Sequence, residues 1–139
     1  MSEFRLDTAG PTGDCAVLQV TGEVDVYTAP MLRERIRELA AKGTAHLIAD
    51  LGQVDFLDSS GLGVLVGGLK RLREDGGSLA LVIKTPRILR VFEITGLTKA
   101  FAVWPSVTDA ITADPYWHKT AETQAGSVHE WCRQHGLSS

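Results

Sequence analysis

Apolar residues along the chain alternate between two periods. FRL (4–6) and AVLQVTG (16–22) read as short strands, separated by the turn-rich AGPTGD (9–14). In PMLRERIRELAAKG (30–43) the apolar residues Leu32, Ile36 and Leu39 recur at helical spacing. Thr28 stands where an N-cap belongs, and Gly43 where a helix stops. HLIADL (46–51) is nearly all apolar, the pattern of a strand covered on both faces. A second helix starts near Ser59, with Leu62, Leu65, Val66, Leu69 and Leu72 on one face and Lys70, Arg71, Arg73 and Glu74 mostly away from it. Two glycines at 76–77 end it. LALVIK (79–84) predicts another buried strand, and Thr85-Pro86 opens a helix over PRILRVFEIT that Gly96 closes. FAVW (101–104) and PSVTDAIT (105–112) predict a short strand and a short helix.

Strands that alternate with helices through short connections imply crossover units. The fold class expected is therefore α/β: a small, mostly parallel β-sheet with an antiparallel edge strand, packed with helices. One domain over residues 1–113 accounts for this pattern. Residues 114–139, beginning DPYWHKTAETQ, are polar, lack a clean apolar stripe, and carry Trp117 and Trp131. A frayed terminus is the first expectation for them, with a loose helix or a partner-binding tail as alternatives.

Composition narrows the function classes. At 139 residues the chain is long enough for a core without staples. A formal net charge of −3 argues against direct nucleic-acid binding, which needs a concentrated basic surface. The apolar runs are too short to span a bilayer, and MSEFRLDTAG lacks the basic start and apolar core of a signal peptide. Cys15 and Cys132 lie far apart and form no disulfide framework. These features predict a reduced, cytoplasmic, soluble domain with no membrane contact.

Candidate chemistry concentrates in FLDSSGLGVL (56–65). One capping residue suffices at a helix start, and either Asp58 or Ser59 can supply it. Ser60 then has a hydroxyl without a structural task. A helix N-terminus carries partial positive charge and tolerates an anion, so Ser60 is suited to carry a phosphate. Phosphorylation would move the net charge from −3 to about −5. Gly61, Gly63, Gly67 and Gly68 weaken the helix by roughly 0.8–1 kcal/mol each. Close packing explains Gly67 and Gly68, whereas Gly61 and Gly63 leave room for a partner to reach the hydroxyl.

VDFLDSSGLGVLVGGLKRL, with TGEVDVYTAP before it and GGSLALVIKTPRILRVFEITGLTKAFAVWPSVTDAI after it, resembles the anti-sigma factor antagonists of the STAS domain family. The resemblance covers roughly residues 4 to 112 and implies a STAS-like fold. It implies that Ser60, the second serine of DSSG, is phosphorylated by an anti-sigma factor that is also a serine kinase. It further places Asp25, from the GEVD loop, and Asp58, Ser59 and Gly61 on the partner-binding surface. The implied mechanism is a partner switch. The unphosphorylated protein binds the anti-sigma factor kinase and frees a sigma factor, phosphorylation of Ser60 ends that binding, and a serine phosphatase resets it. The protein would be a substrate, not an enzyme.

Other readings are weaker. A catalytic Ser60 needs a base, and His46, the one histidine before the tail, opens a strand at the end opposite to the Ser60 loop. Gly61-Leu-Gly63 has its third glycine misplaced for a dinucleotide loop. His129, Cys132 and His135 are three residues apart, which winds them around a helix instead of gathering metal ligands. No cofactor or metal is expected. The alternative kept open is a STAS scaffold of a signalling assembly, or an accessory subunit of a lipid-transport ATPase, without a kinase cycle.

Overall fold

A computed structural model describes residues 3–137. Its strands are β1 (Arg5–Thr12), β2 (Cys15–Val24), β3 (His46–Leu57), β4 (Ser78–Val82) and β5 (Ala102–Trp104). They form one sheet in the order β1-β2-β3-β4-β5, antiparallel between β1 and β2 and parallel elsewhere. The helices are α1 (Ala29–Ala41), α2 (Ser59–Glu74), α3 (Pro86–Ile94), α4 (Val107–Ala113), α5 (Pro115–Ala125) and α6 (Val128–Gln134). A 3-10 turn spans Leu97–Lys99. The mixed α/β sheet with an antiparallel edge is the architecture that the alternating pattern predicts.

Two strands are longer than the apolar runs suggest. Most of AGPTGD belongs to β1, leaving only Gly13 and Asp14 to turn the chain. β3 continues past Leu51 to Leu57, because its second half keeps pairing with β2 as far as Val24↔Leu57. Gln53, Asp55 and Phe56 are exposed there, so hydropathy loses the strand while backbone pairing keeps it.

Alternate side chains of the sheet point to opposite faces. Leu18 and Val20 of β2, Leu47 and Ala49 of β3, and Leu79 and Leu81 of β4 face one core, closed by α1, α2 and α3. Cys15 and Val17 of β2, Ile48 of β3 and Val82 of β4 face the other, closed by α4, α5 and α6.

From Asp114 to Leu137 the chain is not a frayed end. Asp114 caps α5 by accepting from the N–H groups of Tyr116 and Trp117, and Ser127 caps α6 through Glu130 N–H. Trp117 and Trp131 are 1% and 0% exposed and meet edge to face, with centroids 5.0 Å apart. These two short helices show no broad apolar stripe because a few large rings supply the area that many aliphatics would otherwise provide.

Candidate functional site

The loop from β3 to α2 sets out the DSSG residues. Asp58 has extended backbone, and its Oδ1 accepts from Ser60 N–H at 2.9 Å and Gly61 N–H at 3.2 Å. Asp58, not Ser59, is thus the cap of α2. Ser59 is exposed at the first helical position. Ser60 follows half-buried, and its hydroxyl makes no hydrogen bond to a described residue.

Gly61 and Gly63 have different tasks. A Cβ on Gly61 would stand 2.4 Å from Leu57 Cδ1 and 2.7 Å from Val24 Cγ1, so this buried glycine lets α2 close onto the strand ends. The expectation that Gly61 leaves access to the hydroxyl gives way to this inward packing. Gly63 faces open space, and so does Gly67. Gly68 alone of the second pair packs closely, against Ile36 and Leu79.

Asp25 shapes the neighbouring loop from within. Its Oδ1 accepts from Tyr27 N–H at 2.9 Å and Thr28 N–H at 3.1 Å. Thr28 Oγ1 donates to Glu23 O at 2.8 Å and accepts from Asp25 N–H at 2.9 Å. Thr28 flanks α1 as predicted, yet its hydroxyl caps no helical N–H. It ties the GEVD loop together instead, and Pro30 stands in the first turn of α1, where it has no N–H to satisfy.

α1 and α2 bring these pieces to one pocket of about 390 Å³. Ser59, Ser60 and Gly63 line it from α2, and Val26, Ala29 and Arg33 from the loop and α1. Among the described residues Arg33 is its one charged lining residue. A groove of about 250 Å³ continues between the helices past Gly67, bordered by Arg33, Arg37 and Arg71. Val26 (61% exposed), Tyr27 (84%) and Met31 (55%) stand proud beside the pocket. This is a concave patch with an apolar rim, a hydroxyl in reach of solvent and one cation.

No histidine borders it. His46 lies at the other end of β3, where its Nδ1 is 2.9 Å from Ser78 Oγ and its ring lies tilted against Tyr116, with centroids 4.3 Å apart. Tyr116 Oη donates to Asp14 Oδ1 at 2.5 Å, and that bond pushes its phenol up to about 12. In the tail, Cys132 is buried and His135 stacks on Trp131 at 4.0 Å. Burial pushes both cysteine thiols up, that of Cys15 to about 12. Among the described residues no three or more His, Cys, Asp or Glu side chains gather to hold a metal.

A mixed sheet with a capped, glycine-rich helix after its third strand agrees with a family model, the STAS domain, that matches residues 8–110. The chain belongs to the STAS domain family. This STAS chain is 48% identical over 80 residues to the anti-sigma-B factor antagonist of Bacillus subtilis (strain 168), covering 58% of this chain and 72% of that protein. It is 44% identical over 79 residues to the anti-sigma-B factor antagonist of Listeria monocytogenes serovar 1/2a, covering 57% and 69%. A crystal structure of an anti-sigma factor antagonist from Mycobacterium paratuberculosis superposes with a TM-score of 0.73 at 32% identity, over 80% of this chain and 93% of that one. Helices α5 and α6 lie beyond the residues that the STAS model matches.

The sequence pattern missed Val26, Tyr27, Met31 and Arg33. One signal was present: Met31 falls off the Leu32–Ile36–Leu39 period, which marks an apolar side chain that the core does not use. Arg33 carried none, since only the packing of α1 against α2 brings it beside Ser60.

Proposed function

We propose that this STAS protein is an anti-sigma factor antagonist that works by partner switching. The observation that carries the reading is the free hydroxyl. Asp58 does the capping, so Ser60 stands in an open pocket with no hydrogen bond to a described residue. The names of the relatives at 48% and 44% identity support the regulatory role.

In this mechanism the unphosphorylated protein docks on an anti-sigma factor serine kinase, and the sigma factor held there is released. Val26, Tyr27 and Met31 offer the apolar area for docking, with Ser59 and the Asp25-shaped loop beside them. Asp58 and Gly61 act from behind, one by capping α2 and the other by seating it. The kinase then transfers the γ-phosphoryl group of ATP. An Oγ–P bond forms at Ser60, the bond to the leaving ADP breaks, and the hydroxyl proton passes to a base of the kinase. The phosphate adds roughly −1.5 to −2 charges at the docking face. An unmatched charge desolvated in an interface can cost roughly 2–5 kcal/mol, enough to release the partner. A serine phosphatase restores the hydroxyl.

The protein acts in the cytoplasm as a substrate, without a cofactor and without direct nucleic-acid contact. Among the described residues no helix is long and apolar enough to cross a membrane.

Phosphosite mapping of the protein from growing and stressed cells tests the reading. Occupancy at Ser60 that changes with condition is the expected result, and Ser60→Ala should remain bound to the kinase in the presence of ATP. A Ser60→Ala protein that is still phosphorylated and released would overturn the assignment.

A further inference from the structure

A phosphate on Ser60 needs a counter-charge, and the helix N-terminus is already occupied. Asp58 Oδ1 takes the N–H groups of both Ser60 and Gly61, the first donors that a phosphate would otherwise find. Its carboxylate also stands as a like charge beside the new group. The Asp25 carboxylate is turned onto Tyr27 and Thr28. The usual anion site is therefore filled.

Arg33 is the cation placed to answer this. It lines the same pocket as Ser60, is the one charged residue there among the described residues, and makes no ion pair with any of them. Its guanidinium is exposed on a long side chain one helix away, on a wall where Gly63 leaves open space. A guanidinium holds phosphate oxygens in a fork of two parallel N–H bonds.

We propose that Arg33 is the intramolecular acceptor of the Ser60 phosphate, a clamp that swings from the α1–α2 groove onto the modified serine. The proposal rests on Ser60 as the site of phosphorylation. It adds a second consequence to the modification. Besides bringing negative charge, the phosphate withdraws Arg33 from the groove that it borders with Arg37 and Arg71. The charge of two neighbouring surfaces then changes at once, so the switch is sharper than a phosphate alone would make it. Arg33 is a positioning residue here, with no part in the transfer step.

The test uses the full chain with phosphoserine incorporated at position 60 during synthesis, followed by 31P NMR titration at low salt. Free phosphoserine has a second pKa of about 6. A clamp on the dianion lowers that value by on the order of half a unit. The wild-type chain should show the lowered value and lose the shift as salt screens the pair. Arg33→Ala should return it toward that of free phosphoserine, Arg33→Lys should restore part of the shift, and Arg37→Ala should leave it in place. Equal values in the wild type and Arg33→Ala would overturn the clamp. The outcome is separable from the proposed function: absence of Ser60 phosphate in cells sinks the switch, whereas equal values in the wild type and Arg33→Ala sink only the role of Arg33.

Discussion

On one face of the sheet, α1 and α2 bury rows of aliphatic side chains and turn Gly63, Gly67 and three arginines outward. On the other, α4, α5 and α6 bury two tryptophans and a cysteine over Val17, Ile48 and Val82. The first face leaves a pocket, an apolar rim and an unengaged hydroxyl beside its helices. The second is closed by the chain's own C-terminal helices, anchored by Trp131 Nε1 donating to Thr12 Oγ1 at 3.0 Å and by the Tyr116–Asp14 bond. Both faces are packed, but only the first leaves an open pocket and an exposed apolar rim. The C-terminal helices read as structural cover for a sheet face, and the partner surface proposed above lies around the start of α2.

The largest effect should come from the covered face. Trp131→Ala removes a fully buried ring and is expected to cost about 3–5 kcal/mol in denaturant unfolding. Amide signals at the start of α2 should stay in place in the folded protein. Movement of the Ser60 and Gly63 signals as large as that of α6 would show that the two faces are coupled.

A smaller contrast lies within α2 itself. Gly61→Ala drives a Cβ into Leu57 and Val24 and should destabilise by about 1–3 kcal/mol. Gly67→Ala meets open space and should stabilise by up to about 1 kcal/mol. The same sign for both substitutions would contradict the division between an inward-packed and an outward-facing glycine.

The finest effect is on pH. Tyr116 titrates near 12 in the fold, above its ordinary value of about 10, because Asp14 holds its proton. A raised pKa means that its contribution is fully present below about pH 10 and is lost as pH rises through about 12. Tyr116→Phe lacks that dependence. The difference in melting temperature between wild type and variant should therefore shrink from about pH 10 upward. A difference that holds constant to pH 12 would remove Tyr116 from the anchoring of the tail.

Parts of this division were legible in the residues. Leu32, Ile36 and Leu39 on α1 and the aliphatic positions of α2 announced the first core, because many apolar side chains at one period leave a strong signal. DSSGLG announced the helix start and the candidate acceptor. The second half of β3 was hidden because its exposed residues break the apolar run. The tail was hidden because its cohesion lies in two rings and their caps, and two tryptophans do not make a period.

By itself the sequence determined the alternation of strands and helices, the start of α2 at DSSG, and a hydroxyl surplus to capping. Those are local properties, set by spacing and by what one side chain can do for its own backbone. Tertiary structure decided that Gly61 packs inward while Gly63 opens outward, that Asp25 binds its own loop, and that Arg33 stands beside Ser60. It also folded α5 and α6 over the second face. Each of these depends on which surfaces meet across the sheet, and residues far apart in the chain acquire such relations only when the core closes.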